Sequence, residues 1–383
     1  MRTIHKAIGV AAAMAIAGCG GAAGGSVQFT ASGEVLALGG YAFPPATPDD
    51  PAFSDGWEIR FTKFIGVFDK VTLSENPDSM PSDQSKTGKL VAEIDGPWAI
   101  DLHRGGPLAG KGGTDEQAYP IEMVANQNKN GGAAFDPTLR YAFGFDSVPA
   151  TASTQLINID AGDTDYAAMV QNGWNVLYVG TATWKGDSTC TQTGGVAGQA
   201  ALDSLPKTVT FRLGFTTPTT YLNCQNPDND PAAGLNGEDH ERGVQVKAGQ
   251  NIAQVTFHTD HPFWESFTHD TPAHFDQLAA LAKKQPDNSY LVTVDDAVGV
   301  NYTAFKAPNG TALPWHACQP GYMPPNTNAQ MGFDSLSIPY SPGGDPAAAE
   351  RDYRDYLAYD QSTQGHLNSD GLCFVQRHYP SPQ

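Results

Sequence analysis

Trp57-Glu-Ile59-Arg-Phe61-Thr-Lys-Phe64 alternates apolar and polar side chains with a period of two. That is the pattern of a strand with one buried and one wet face, and it commits this part of the chain to a sheet. Residues 65–73 extend the pattern past a kink expected at Gly66. Comparable runs occupy 27–31, 35–38, 90–94, 98–102, 139–145, 174–184, 209–213 and 252–257, separated by turn-rich segments such as 74–88. Many short strands without regular intervening helices argue for an antiparallel sandwich rather than a βαβ sheet. The 41 Gly and 28 Pro, with only 16% charged residues, fit the same class, because they supply turns and long loops.

Helical signals are few. Residues 165–171 suit a short helix, and two further segments stand out. Thr271 is placed to cap a helix beginning at Pro272, with Phe275, Leu278, Leu281 and Ala282 as its apolar stripe. Residues 346–357 read as a helix with an aromatic stripe of Tyr353 and Tyr356. The expected fold is mostly β: an antiparallel, immunoglobulin-like β-sandwich with long loops, two short helices and an irregular C-terminal extension. Its expected organisation is a signal peptide (1–18), a Gly-rich tether (19–26), the sandwich (27–300) and a Cys-stapled extension packed on it (301–383).

Arg2 and Lys6 precede an apolar run over residues 7–16, which has the length of an export signal and is too short for a bilayer anchor. Ile16-Ala-Gly-Cys19 closes it and resembles a bacterial lipobox. The resemblance implies that Cys19 becomes the diacylated first residue, so that the lipid is the membrane partner. Gly20 then points to the outer membrane, with the protein facing periplasm or cell surface. The formal charge of −19 excludes nucleic acid as a partner and favours cations.

Cysteine usage agrees with export. Cys190, Cys224, Cys318 and Cys373 remain, with no C-x-x-C among them, so two disulfides are expected in an oxidising compartment. Three connectivities are open. Cys190–Cys224 with Cys318–Cys373 is preferred, because each pair closes one Pro/Gly-rich excursion.

Of the ten His, four lie in His258-Thr-Asp260-His261-Pro-Phe-Trp264-Glu-Ser-Phe-Thr-His269-Asp-Thr-Pro-Ala-His274. On a strand entering from Ile252, Ala253, Val255 and Phe257 share one face, so His258 and Asp260 share the other. His274 falls in the first turn of the expected helix, where the macrodipole disfavours imidazolium and so favours the metal-binding form. His258, Asp260, His261, His269 and His274 are therefore candidate ligands for copper or zinc. Asp228, Asp230 and Glu238 in an acidic, Gly-bearing loop are candidates for a structural calcium ion. No G-x-S-x-G elbow and no C-x-x-C-H is present, so no nucleophile and no covalent haem are indicated.

Four segments resemble the MbnP-like copper-binding lipoproteins of the bacterial envelope. They are Tyr141-Ala-Phe-Gly-Phe145-Asp-Ser-Val-Pro149, Met169-Val-Gln-Asn-Gly-Trp174, Phe211-Arg-Leu-Gly214 followed by Cys224, and Val244-Gln-Val-Lys-Ala-Gly249-Gln-Asn251. Their order is kept over roughly 139–260. The resemblance implies a β-sandwich that holds copper at His-rich loops. It transfers no individual ligand, and Arg212 stands where that family tends to carry His.

The reading is an envelope lipoprotein that binds copper or zinc for acquisition or storage, with an envelope redox or transport partner, rather than an enzyme. Two alternatives differ in class. One is an adhesion or carbohydrate-binding lipoprotein with structural histidines, for which Trp264 and Trp315 are the surface candidates. The other is a metal-dependent hydrolase using Glu265 as general base.

Overall fold

The computed structural model describes residues 24–113, 115–229, 237–266, 271–301, 304–319, 321–322 and 352–378. The signal segment with Cys19, His269 and Asp230 lie outside them, as does the part of the 346–357 segment before residue 352.

Strands dominate and form two large sheets. One runs in the order Gly371–Leu372, Gly365–Leu367, Gly249–Phe257, Gly25–Ser32, Gln117–Val124 and Leu108–Ala109. The larger is built around Trp57–Glu75, flanked by Val176–Trp184 and Arg140–Ser147. Aromatic rings fill the space between them. Phe257 of the smaller sheet lies edge-on to Phe68, Phe145 and Tyr221 of the larger at centroid distances of 6.2, 5.8 and 6.4 Å. The outcome is an open, sandwich-like β fold.

The expected period-two strands form, with three informative departures. Residues 57–75 make a single strand, and Gly66 does not break it. A Cβ on Gly66 would sit 2.7 Å from the Phe257 ring, so the glycine is there to let that ring pack close. Residues 35–38 belong to a short helix, Glu34–Gly39, one of five α-helices among the described residues. The pairing is also mixed rather than purely antiparallel: Gly25–Ser32 runs parallel to Gly249–Phe257, with Ser32 opposite Thr256. The strand therefore begins inside the expected tether, at Gly25.

The helix Thr164–Asn172 forms close to where it is expected. Asp163 caps it by accepting from the amides of Asp165 and Tyr166, and left-handed Gly173 ends it. The helix expected from Pro272 starts later, at Asp276. Thr271 does not cap it. Instead, the buried carboxylate of Asp55 accepts from the amides of Phe275 and Asp276 at 2.6 and 2.7 Å. The C-terminal helix covers Tyr353–Gln361 behind an Asp352 cap.

The C-terminal residues are part of the sheets themselves. Gly365–Leu367 pairs with Gly249–Phe257, and Phe374–Arg377 pairs with Thr219–Leu222. The disulfides are Cys190–Cys318 and Cys224–Cys373. The sequential pairing expected above is incorrect, because cysteines follow strand neighbours rather than chain order. Thr191–Gln192 pairs with His316–Ala317, which brings Cys190 to Cys318. The Phe374–Arg377 strand beside Thr219–Leu222 brings Cys373 to Cys224.

Candidate metal centre

Two parallel strands end side by side and build the site. Gly25–Ser32 exits through Gly33 to Glu34, and Gly249–Phe257 exits to His258. Gly365–Leu367 supplies the third element: His366 pairs with Thr256, so it stands diagonal to His258 on the same sheet face. Their rings stack at 4.0 Å with an interplanar angle of 18°. The 3-10 turn His261–Phe263, braced by Asp260 O accepting from Phe263 N at 2.7 Å, swings the His261 ring to 5.5 Å from His258 and 5.3 Å from His366.

His258, His261 and His366 each present a ring nitrogen, and the three nitrogens lie within 4.8 Å of one another. The tautomer of neutral His261 follows from its neighbour. The Thr363 hydroxyl donates its one hydrogen to Asp360 O at 2.7 Å, so its oxygen must accept from His261 Nδ1 at 2.6 Å. The His261 lone pair then sits on Nε2, the nitrogen a metal would take.

A second set of groups shares His258. Glu34 Oε1 is 3.5 Å and Asp370 Oδ1 3.9 Å from His258 Nε2, and one ligand atom from each of the three again falls within 4.8 Å. The His258 side chain is 11% exposed and that of Asp370 76%, so the carboxylates mark the solvent side of the cluster. Burial would lower the His258 pKa, but the Glu34 carboxylate overrides it and holds the value at about 9. Glu34 is correspondingly lowered, its burial outweighed by His258. Three non-glycine residues here adopt left-handed backbone: Glu34 (φ 61°), Asn368 (φ 51°) and Ser369 (φ 77°). The Asn368-Ser369 reversal is strained at Ser369. It sets Ser369 O 3.2 Å from His258 Nε2 and Ser369 Oγ 2.6 Å from Glu34 Oε1.

His274 is not part of this cluster. The chain from 263 folds back on itself, with His274 N donating to Phe263 O at 2.8 Å, and the ring enters a buried carboxylate cage. His274 Nε2 is 2.7 Å from Glu265 and Nδ1 is 3.7 Å from Asp55; the Tyr322 hydroxyl also donates to Glu265. Burial would lower the His274 pKa, but Asp55 and Glu265 raise it to about 10. Both of its ring nitrogens face carboxylates, and it belongs to no converging set of ligand atoms among the described residues. Asp260 is not in the ligand set either, and burial pushes its carboxyl up against the pull of His258.

The other candidate residues are committed elsewhere. Asp228 pairs with Lys111 at 2.6 Å, and Glu238 receives Arg242 Nε at 2.8 Å, so each already has a cation. Glu265 is held by His274 and Tyr322. Trp264 and Trp315 are 5% and 8% exposed, so they present no surface platform. Cys190, His316 and Cys318 also bring ligand atoms within 4.8 Å, with the two sulfurs bonded to each other.

Sequence reasoning missed His366, Glu34 and Asp370. Glu34 and the His366–Asp370 turn lie far from His258 in sequence, and only the sheet register brings them to it. Comparison of the chain with family models, curated proteins and solved structures gives no match. Among the described residues, no helix is long and apolar enough to cross a membrane, and the two disulfides fit an oxidising compartment.

Proposed function

We propose that this protein is an envelope lipoprotein that binds a divalent transition metal, copper or zinc, for acquisition or storage, using His258, His261 and His366 with Glu34 and Asp370 on the solvent side. The convergence of three ring nitrogens within 4.8 Å carries the reading. Three imidazoles are a donor set that suits Cu(II) and Zn(II) better than calcium or magnesium, and Glu34 and Asp370 form a neighbouring group that shares His258. Binding is favoured over hydrolysis because Glu265, the carboxylate suggested as base, is locked to His274 and Tyr322. Burial of Trp264 and Trp315 removes the support for a carbohydrate platform.

Calorimetric titration with Cu(II) and with Zn(II) tests this. A single high-affinity ion is expected in the parent protein and none in the His258→Ala/His366→Ala variant. Equal affinity in both proteins overturns the reading. Attachment through Cys19 is tested separately: Cys19→Ser should release the protein from membranes, since the Gly-rich segment offers no other contact.

A further inference from the structure

We propose that Cys190, His316 and Cys318 form a second metal site, of the thiolate class, which opens when a dithiol reductant cleaves their disulfide. The site is independent of the histidine cluster. Its ligands are held in place by more than the S–S bond. Thr191 and Gln192 pair with Ala317 and His316, Thr193 N donates to Trp315 O at 3.3 Å, and Cys318 N donates to Ser54 O at 2.7 Å. These backbone bonds keep the two sulfurs adjacent once the disulfide is gone.

His316 is oriented as a metal ligand is. Its Nδ1 lies 3.2 Å from Asp276 Oδ2, and Asp276 Oδ1 accepts from the Trp57 indole at 2.8 Å, so the carboxylate cannot swing away. A carboxylate behind one ring nitrogen fixes the other as the ligand. Trp184 stacks on the imidazole at 6.0 Å and 17°, which holds the ring plane. His316 Nε2 then faces the sulfurs, 3.7 Å from Cys318 Sγ. A tetrahedral zinc ion with ordinary Zn–S and Zn–N bonds separates S and N by about 3.6 Å. The observed spacing already matches. The sulfurs alone must move, from bonded contact to about 3.8 Å apart.

The chemistry balances. The dithiol gives two electrons and two protons to the disulfide, leaving as its own disulfide and producing the Cys190 and Cys318 thiols. A zinc ion then displaces both thiol protons and takes two thiolates, His316 Nε2 and a solvent molecule. Thiolates select Zn(II) or Cu(I) over harder ions, so reduction adds a soft site to the chain and oxidation removes it.

Cobalt(II) is the probe, because thiolate-to-cobalt charge transfer reports sulfur ligation that no all-histidine site can produce. The full chain, reduced with a dithiol and checked by near-ultraviolet circular dichroism, should show this absorption; the oxidised chain should not. The signal should persist in His258→Ala/His366→Ala, and cobalt affinity should fall about tenfold in Asp276→Asn. Absence of the band from folded, reduced protein overturns the proposal. So does loss of the near-ultraviolet signal on reduction, or an undiminished band in His316→Gln, which would place the cobalt at Cys224 and Cys373.

Discussion

His261 and His274 sit on the same short stretch of chain, yet they end in opposite electrostatic surroundings. His261 meets two other imidazoles and a hydroxyl that accepts from its Nδ1. His274 meets Glu265 at one nitrogen and Asp55 near the other. The first arrangement brings three ring nitrogens together, and a metal there has to displace the proton that Glu34 holds on His258. The second supplies the positive charge from the imidazole itself, so an added metal would have to displace a proton held by two buried carboxylates. A count of histidines cannot separate these cases. What faces each ring nitrogen can.

Removing the cation of the His274 cage should give the largest effect. His274→Ala leaves Asp55 and Glu265 without their partner in a buried place, and stability should fall by about 3–5 kcal/mol in denaturant unfolding. The same cage predicts a pH dependence. The folded-state pKa of about 10 lies above the unfolded value of 6.5, so the stabilisation is complete below about pH 6.5 and is lost as pH rises to about 10. Unfolding measured between pH 6 and 10 should show this decline, and His274→Gln should reduce it to the smaller part that His258, raised to about 9, contributes with the same sign.

The histidine cluster should respond in affinity instead. Loss of His258 and His366 together should weaken Cu(II) or Zn(II) binding at least a hundredfold, about 2.7 kcal/mol. The core face of Val255 and Phe257 is untouched, so far-ultraviolet circular dichroism should not change. Thr363→Val removes the acceptor that sets the His261 tautomer while keeping the side chain's shape. Binding should weaken about tenfold. An unchanged affinity would mean that His261 is not oriented by Thr363.

Asp370 should matter least. Its carboxylate is largely exposed and solvent screens it, so Asp370→Asn should change affinity by less than about 1 kcal/mol. A larger loss, read in the same titrations, would show that the aspartate moves inward to ligate.

Much of the strand layout was legible because burial imposes a period of two on the residues themselves. Trp57–Phe61 shows this, alternating buried and open positions, and the bounds expected for Leu90–Ile94 are matched. The strand Gln117–Val124 was missed. Its outward residues are mostly exposed and Pro120 interrupts the pattern. His258 and His261 were legible as candidate ligands, since the strand geometry from Ile252 places them at its end. The helix start was misplaced because its cap comes from Asp55, on a distant segment, and no local rule can find a cap supplied across the fold.

By itself, the sequence determined where strands could form, that the chain has cysteines suited to an oxidising compartment, and which stretch was rich in imidazole. Those properties are local, written in the spacing of side chains along one segment. The tertiary structure alone decided that His366 rather than His274 joins His258, that Glu34 lies beside them, and that Cys190 pairs with Cys318. Each of these depends on which strands are neighbours and in what register, above all on the parallel pairing of Gly25–Ser32 with Gly249–Phe257. Register is settled by the collective packing of both sheets around rings such as Phe257 on Gly66, and no single segment encodes it.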